Sequence, residues 1–311
     1  MLALGGGAAR GLSHIGIIRV LEAEGVVIRG VAGTSIGSIV GGLFCAGRLA
    51  AYEEYMRGLD ARSFLRLLDP VMPRAGLLGG ARVMKQLQEM AGAVNIEDLT
   101  IPFTAVATDL HTGEEVRLRG GQMVEAMRAS WAIPGIFAPV KLDDRWLVDG
   151  GVSMPVPVAA ARELAAGLPV IAVNLNNTEN HFQGEVVDLL ESSDDERELG
   201  RVERLFQRMR GHRSKDEPDE AYTPGMVSSV SDSVTHLEHK ITRFQLAADP
   251  PDLLLEPAVF GIGLFDFHRA EAVIGAGAHC AQRAVTEGRI KELASKARRR
   301  GRLPRWLRER P

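Results

Sequence analysis

Short apolar runs alternate with glycine-rich loops and small-residue segments over the first half of the chain. The runs at 26–32 and 101–108 are rich in β-branched residues, a pattern typical of buried strands. Residues 38–47 are small and apolar, and they favour a helix that packs closely on a sheet. Strand, glycine loop, helix and strand follow one another up to about Gly47, which predicts a doubly wound α/β fold.

The same pattern predicts the remaining elements. Strands are expected at 2–4, 115–119, 145–148, 169–175 and 253–255, with 115–119 as one arm of a hairpin. Helices are expected across most of 50–93, at 124–131 and, as a closing helix, at 267–294.

The character of the chain changes after Asn176. Residues 177–225 are dense in charges of both signs, and 211–224 has the composition of a disordered loop. We interpret 177–225 as an insertion that is partly disordered or forms a lid. Residues 1–176 and 226–295 are predicted to belong to one α/β domain, and 296–311 to form a basic tail.

The composition argues against nucleic acid as a partner. Of the 311 residues, 45% are hydrophobic and 25% charged, which are ordinary values for a globular enzyme. A formal net charge of −3 does not favour nucleic-acid contact, and an aromatic content of 5% argues against a platform for stacked bases.

Compartment and redox state follow from what the sequence lacks. No apolar run reaches the roughly 18 residues of a membrane span, and no charged region precedes an apolar one at the N-terminus. Cys45 and Cys280 are isolated in apolar surroundings, unlike the cysteines of a disulfide framework. We therefore expect a cytoplasmic protein.

The segment Gly33-Thr34-Ser35-Ile36-Gly37 carries the first candidate for catalysis. It lies between a predicted strand and a predicted helix, which is the context of a nucleophile elbow. Such a turn is strained, and neighbouring Cβ atoms would crowd both the serine and its substrate, so flanking glycines have a physical role. Ser35 is the candidate nucleophile.

A second glycine-rich loop, Gly5-Gly6-Gly7-Ala8-Ala9-Arg10-Gly11, follows the first predicted strand. Successive glycines leave backbone amides able to converge on an anion, either as a phosphate cradle or as an oxyanion hole. The glycine spacing does not match a dinucleotide-binding fingerprint, and the Gly-Lys-Ser/Thr of a P-loop is absent. Together with Ser35, the loop favours an oxyanion hole over purely structural glycines.

Ser35 needs a general base. None of the eight histidines lies in the late loop expected for a Ser-His-Asp triad, and His14, at the start of a helix, is expected to be a polar cap or solvated. Asp149-Gly150-Gly151, at the end of a predicted strand, is the better partner, because a desolvated carboxylate can accept a proton directly from a serine. An ordinary Asp-Gly turn is the alternative.

These three motifs resemble, in order and spacing, those of patatin-like phospholipases. The chain is most similar to the compact bacterial members, which are related to the catalytic domain of neuropathy target esterase. The similarity extends to the segments 128–140, 251–257 and 261–267. It covers most of the chain except about 177–225 and the last 20 residues.

The resemblance implies a three-layer α/β/α fold with a central, mostly parallel sheet. It implies a Ser-Asp dyad, with Ser35 as nucleophile and Asp149 as base, and an acyl-enzyme intermediate. It also implies an oxyanion hole from the loop of Gly5, Gly6, Gly7 and Arg10. The dyad would be supported by Gly33, Gly37, Gly150 and Gly151. No metal and no cofactor are expected.

The implied substrates are phospholipids or lysophospholipids. An acyltransferase or thioesterase with the same dyad, or a non-catalytic lipid-binding module, are the alternatives. Trp131 stands where the family usually has a small residue, and Met154 where asparagine is common before Pro155, so both are expected to alter the acyl pocket.

The basic tail offers a further contact. Seven arginines and Trp306 lie in 298–310, a composition that suits peripheral docking on anionic lipid headgroups. A solvated tail without a partner is the alternative.

Overall fold

The computed structural model describes residues 1–69, 78–176 and 226–299, and its centre is a single twisted sheet. The strands of this sheet are β1 (Leu2–Leu4), β2 (Val31–Thr34), β3 (Phe103–Asp109), β4 (Glu115–Leu118), β5 (Val140–Leu142), β6 (Arg145–Asp149), β7 (Ile171–Val173) and β8 (Leu253–Leu255). The predicted insertion 177–225 lies outside the described residues, as do 300–311 of the predicted basic tail.

The sheet is mostly parallel, as the resemblance implies. Its strands pair in the order β5-β6-β3-β2-β1-β7-β8, where β6 and β2 share one edge of β3 and β4 pairs with the other edge. The five strands from β3 to β8 in this order are mutually parallel, whereas β4 and β6 run antiparallel to β3, and β5 and β6 form a hairpin. Because β8 pairs with β7, the segments before and after 177–225 share one sheet.

Helices cover both faces of the sheet. They are α1 (Ser13–Ala23), α2 (Ile36–Cys45), α3 (Leu49–Arg57), α4 (Ala61–Leu67), α5 (Ala81–Ala91), α6 (Met123–Ser130), α7 (Val158–Leu164), α8 (Met226–Ala248), α9 (Ala270–Thr286) and α10 (Arg289–Arg299). None of the helices in the described ranges is long and apolar enough to cross a bilayer.

The alternation of side chains along the buried strands explains the three layers. Leu2 and Leu4 of β1 face the larger core, which contains the apolar faces of α1, α2 and α9. Ala3, between them, faces a smaller core with α7, to which Val156 also belongs. The three-layer α/β/α fold is therefore confirmed.

Two predicted elements are wrong in their bounds. The strand expected at 26–32 begins only at Val31, because the Val26 amide donates to the Leu21 carbonyl and ties this stretch to the end of α1. The helix expected at 267–294 is interrupted: Gly288, at φ 75°, ends α9 in a left-handed conformation, and α10 starts anew.

Candidate active site

Ser35 occupies a strained turn between β2 and α2. Its backbone has φ 55° and ψ −124°, a conformation that L-residues other than glycine rarely adopt. The side chain lies at the end of β2 and the start of α2, and the residue is 4% exposed. This strand–turn–helix geometry is that of a nucleophile elbow.

The glycines on either side of Ser35 allow this turn to pack against the sheet. A Cβ on Gly33 would collide with the Gly37 carbonyl, and one on Gly37 would collide with the carbonyl of Leu4 in β1. The first turn of α2 therefore rests directly on strand backbone, at a distance that no larger residue permits.

Asp149, at the end of β6, is the hydrogen-bond partner of Ser35. The Ser35 Oγ donates to the Asp149 Oδ2 over 2.6 Å, and the Asp149 Oδ1 accepts from the Gly151 amide over 2.7 Å. The Asp149 carbonyl accepts from the Thr108 hydroxyl over 2.9 Å. Both carboxylate oxygens are thus fixed, and one is aimed at the serine.

Strand β3 explains how residues 114 positions apart come together. Along one edge of β3 runs β4; along the other, β2 pairs with the first half and β6 with the second. Thr34 is opposite Val106, and Asp149 is opposite the next residue, Ala107. Because β2 and β6 run in opposite directions, their carboxyl ends meet, and Ser35 reaches Asp149.

The two glycines after Asp149 occupy crowded positions. A Cβ on Gly150 would collide with the Val106 carbonyl, and one on Gly151 would collide with the carboxyl group of Glu238 in α8. The Asp-Gly-Gly sequence thus lets the chain turn between β3 and α8 immediately beside the dyad.

Burial sets the basicity of Asp149. The residue is 3% exposed, and desolvation raises the pKa of its carboxyl group to about 6. The hydrogen bonds from Ser35 and from the Gly151 amide act in the opposite direction, because they stabilise the ionised form. At neutral pH the carboxylate is ionised and is a far better base than an exposed aspartate.

The glycine loop after β1 lies against the elbow. A Cβ on Gly6 would be 3.4 Å from the Ser35 Cβ. The amides of Gly5 and Gly6 donate to the carbonyls of Val173 and Pro155, so these two amides are already engaged. The Gly7 amide has no acceptor within 1–69, 78–176 and 226–299, so it is an amide of this loop that could bind an anion.

Arg10 holds the loop rather than pointing freely at Ser35. Its Nε donates to the Gly7 carbonyl over 3.2 Å, and its Nη1 donates to the Leu175 carbonyl over 3.4 Å. Burial lowers the pKa of the guanidinium, and the nearby Glu238 carboxyl group counteracts this effect. The positive charge therefore lies close to the loop without being exposed.

His14 is not a partner of the dyad. It is fully buried in α1, where its Nε2 is 2.9 Å from the Gly5 carbonyl, so the expectation of a solvated side chain is wrong. Burial lowers the pKa of His14 to about 4, which leaves the ring neutral and able to donate to Gly5. No described histidine forms a hydrogen bond with Ser35 or Asp149.

Two residues of the site have no counterpart among the predicted site residues. The hydroxyl of Ser130, at the end of α6, accepts from the Ser35 amide over 2.9 Å and donates to the Val106 carbonyl over 2.6 Å. Glu238 of α8 lies over Gly151. Ser130 could have been found in the segment 128–140, whereas Glu238 follows the charged insertion and has no motif.

Ser35 opens onto an apolar cavity on the side of α3 and α5. About 810 Å³ of space lies between its walls, including the open mouth. Tyr52, Met56, Leu87 and Trp131 are among the side chains that line it. Trp131 thus shapes the cavity as expected.

Met154 does not line this cavity, so the expectation that it alters the acyl pocket is wrong. Its side chain packs with the core on the α7 side, and its carbonyl accepts from the Thr34 hydroxyl over 2.8 Å.

Comparisons with known proteins agree with this geometry. Residues 2–162 match the family model described as "Patatin-like phospholipase". An uncharacterized NTE family protein of Mycobacterium tuberculosis is 34% identical over 339 residues, covering 95% of this chain and 94% of that protein. A second such protein of the same species is 30% identical over 302 residues, covering 91% of this chain and 46% of that protein.

A mammalian relative is similar over a shorter stretch. Patatin-like phospholipase domain-containing protein 6 of the mouse is 34% identical over 183 residues, which cover 57% of this chain and 13% of that protein. Since the family model spans both the elbow and the Asp-Gly-Gly turn, and a relative is similar along nearly the whole chain, this protein belongs to the patatin-like phospholipase family, which indicates a lipid acyl hydrolase.

Proposed function

We propose that this protein hydrolyses carboxylic esters of glycerophospholipids or lysophospholipids through a Ser35-Asp149 dyad. The observation that carries the proposal is the 2.6 Å hydrogen bond from the Ser35 Oγ to the Asp149 Oδ2, at an elbow that opens onto an apolar cavity. The family relationship supports the class of reaction.

The dyad accounts for each proton in the reaction. As the Ser35 Oγ attacks the ester carbonyl carbon, its proton moves to the Asp149 Oδ2. Collapse of the tetrahedral intermediate breaks the bond to the alkoxide, which takes this proton and leaves as the alcohol. Water then attacks the acyl carbon while Asp149 takes one of its protons. Collapse of the second tetrahedral intermediate breaks the bond to the Ser35 Oγ, which takes this proton back from Asp149, and the fatty acid leaves.

The negative charge of each tetrahedral intermediate needs donors next to Ser35. The Gly7 amide is one candidate. The Ile36 amide is a second, because the first amides of a helix have no acceptor within that helix. Arg10 supports this arrangement through its bond to the Gly7 carbonyl. Loss of one such donor typically lowers turnover about 10²–10³-fold.

The cavity supports a lipid acyl chain as the acid part of the ester. It begins at Ser35, and the side chains named above are apolar or aromatic on the surfaces that they present. A long alkyl chain buried there would gain roughly 0.8 kcal/mol for each methylene group removed from water. A short acyl group would gain little of this free energy.

An active-site-directed fluorophosphonate tests the dyad. We expect the wild-type protein to be labelled, and Ser35→Ala and Asp149→Asn to lose labelling, while Ser295→Ala, at an exposed serine of α10, is labelled like wild type. Equal labelling of Ser35→Ala would contradict the proposed nucleophile. Release of fatty acid from phospholipid and lysophospholipid vesicles, with an added alcohol as competing acceptor, then separates hydrolysis from acyl transfer.

A further inference from the structure

Glu238 brings a second carboxyl group to the dyad. It lies on α8, and its Oε1 occupies the space directly over Gly151, where a Cβ would collide with it. The Asp149 Oδ1 is 3.1 Å from the position that a Cβ on Gly151 would occupy. The two carboxyl groups therefore lie on the same side of Gly151, close to one another.

Hydrogen bonds from residues that follow Glu238 hold this part of α8 in place. The Gln245 Nε2 donates to the Ser153 carbonyl over 2.7 Å, and the His239 Nδ1 is 2.5 Å from the Asn176 carbonyl oxygen. The Thr242 hydroxyl donates to the Glu238 carbonyl over 2.7 Å. α8 is thus held against the turn after Asp149 and against the end of β7.

Two charged groups from other elements face Glu238. Asp149 faces it from the end of β6, and Arg10 faces it from the glycine loop; His239 is its neighbour on α8. Burial and the negative charge of Asp149 raise the pKa of Glu238 to about 8, and Arg10 counteracts them. Asp149 is buried and Glu238 is half-buried beside it, and two adjacent carboxyl groups of this kind do not both ionise readily, so the pair loses its protons in two steps.

We propose that Glu238 is a positioning residue of the active site, and that the dyad works while Glu238 is neutral and fails when Glu238 ionises. The inference rests on the proposed hydrolysis by Ser35 and Asp149. A neutral Glu238 leaves one negative charge, that of Asp149, at the base. An ionised Glu238 adds a second negative charge beside the forming oxyanion and offsets the positive charge of Arg10. Both effects raise the free energy of the transition state.

The test is the rate of ester hydrolysis and of fluorophosphonate labelling between pH 5 and pH 10, each profile normalised to its own maximum. We expect the wild-type rate to fall above pH 8 by about tenfold per pH unit, as one ionisation requires. Glu238→Gln keeps the shape of the side chain without the titration, and its profile should lack this alkaline fall. Glu22→Gln, at an exposed glutamate of α1, should retain it.

A second variant, Arg10→Gln, tests the same role of Glu238 from the side of its positively charged neighbour. Removal of the positive charge should raise the pKa of Glu238 further and move the alkaline fall to higher pH, whatever the maximal rate.

An alkaline fall that is unchanged in Glu238→Gln would overturn the role of Glu238. If Glu238→Gln does not fold, an unmoved fall in Arg10→Gln would overturn it instead. Absence of Ser35-dependent hydrolysis in wild type would instead refute the proposed function on which the inference rests.

Discussion

The Ser130 hydroxyl accepts a hydrogen bond from the Ser35 amide and so holds the strained elbow in place. Ser35 has a positive φ, a conformation that costs free energy and persists only where its surroundings enforce it. The same hydroxyl donates to the carbonyl of Val106 in β3, so one side chain fastens the elbow to the strand that also pairs with β6.

Ser130→Ala is therefore expected to weaken both stability and catalysis. It leaves the buried Ser35 amide and the Val106 carbonyl without this partner, at a cost of about 1–3 kcal/mol in the free energy of unfolding. It also frees the elbow to move away from Asp149. Urea unfolding and the rate of fluorophosphonate labelling measure the two effects. Ser295→Ala serves as the control, and equal labelling rates in Ser130→Ala and wild type would contradict this role.

The acid side of the pH profile should report Asp149. Its raised pKa of about 6 means that this proposed general base is ionised above pH 6 and becomes protonated below it. We expect the labelling rate to fall about fivefold between pH 6 and pH 5, and about tenfold for each further pH unit. A rate that remains constant down to pH 4, where an exposed aspartate titrates, would show that Asp149 is not the base.

Asp149→Asn should be inactive and yet more stable than wild type at pH 8. The unfolded chain releases the Asp149 proton near pH 3.9 and the folded chain near pH 6, so the wild-type free energy of unfolding falls as pH rises through this interval. Asparagine does not titrate, so the free energy of unfolding of Asp149→Asn does not fall in this way. We expect it to exceed the wild-type value by on the order of 2 kcal/mol at pH 8 and to equal it near pH 4. Urea unfolding at both pH values measures it, with Asp98→Asn, at an exposed aspartate, as control. A gain independent of pH would refute the explanation.

Local motifs made the centre of the site predictable from the sequence. Strained turns and close backbone contacts demand glycine at fixed spacing, so Ser35 and Asp149 are each marked by their neighbours. Ser130 and Glu238 are different. They reach the dyad through packing across 95 residues or across the charged insertion, and no local backbone requirement marks them.

Element bounds failed where tertiary contacts outweigh propensity. Val26 and Val27 are β-branched, but the Val26 amide is bonded to the end of α1 and Val27 is 65% exposed, so no strand forms there. The register that brings β6 to the same edge of β3 as β2 follows from pairing between distant segments. The hydrophobic periodicity within one segment contains no information about which distant strand that segment pairs with.

The basic tail is expected to bind anionic membranes. Each arginine near such a surface contributes about 1 kcal/mol, and seven of them lie after Lys296. A chain that ends at Lys296 should bind vesicles of anionic lipid more weakly than the full chain does. The shortened chain should bind anionic and neutral vesicles to the same extent. Co-sedimentation at low and physiological salt measures this, and unchanged binding to anionic vesicles would contradict it.

Trp131 is expected to limit the length of the acyl chain. It lines the cavity, packs edge-on against Phe137 with ring centres 4.6 Å apart, and lies under the Arg128 guanidinium. Trp131→Phe removes volume from this wall, so longer chains gain about fourfold in kcat/KM for each additional methylene group that is buried. The ratio of kcat/KM for long and short p-nitrophenyl esters measures this shift. Trp146→Phe, at a partly exposed tryptophan of β6, is the matched control, and an equal ratio in both variants would exclude Trp131 as the determinant.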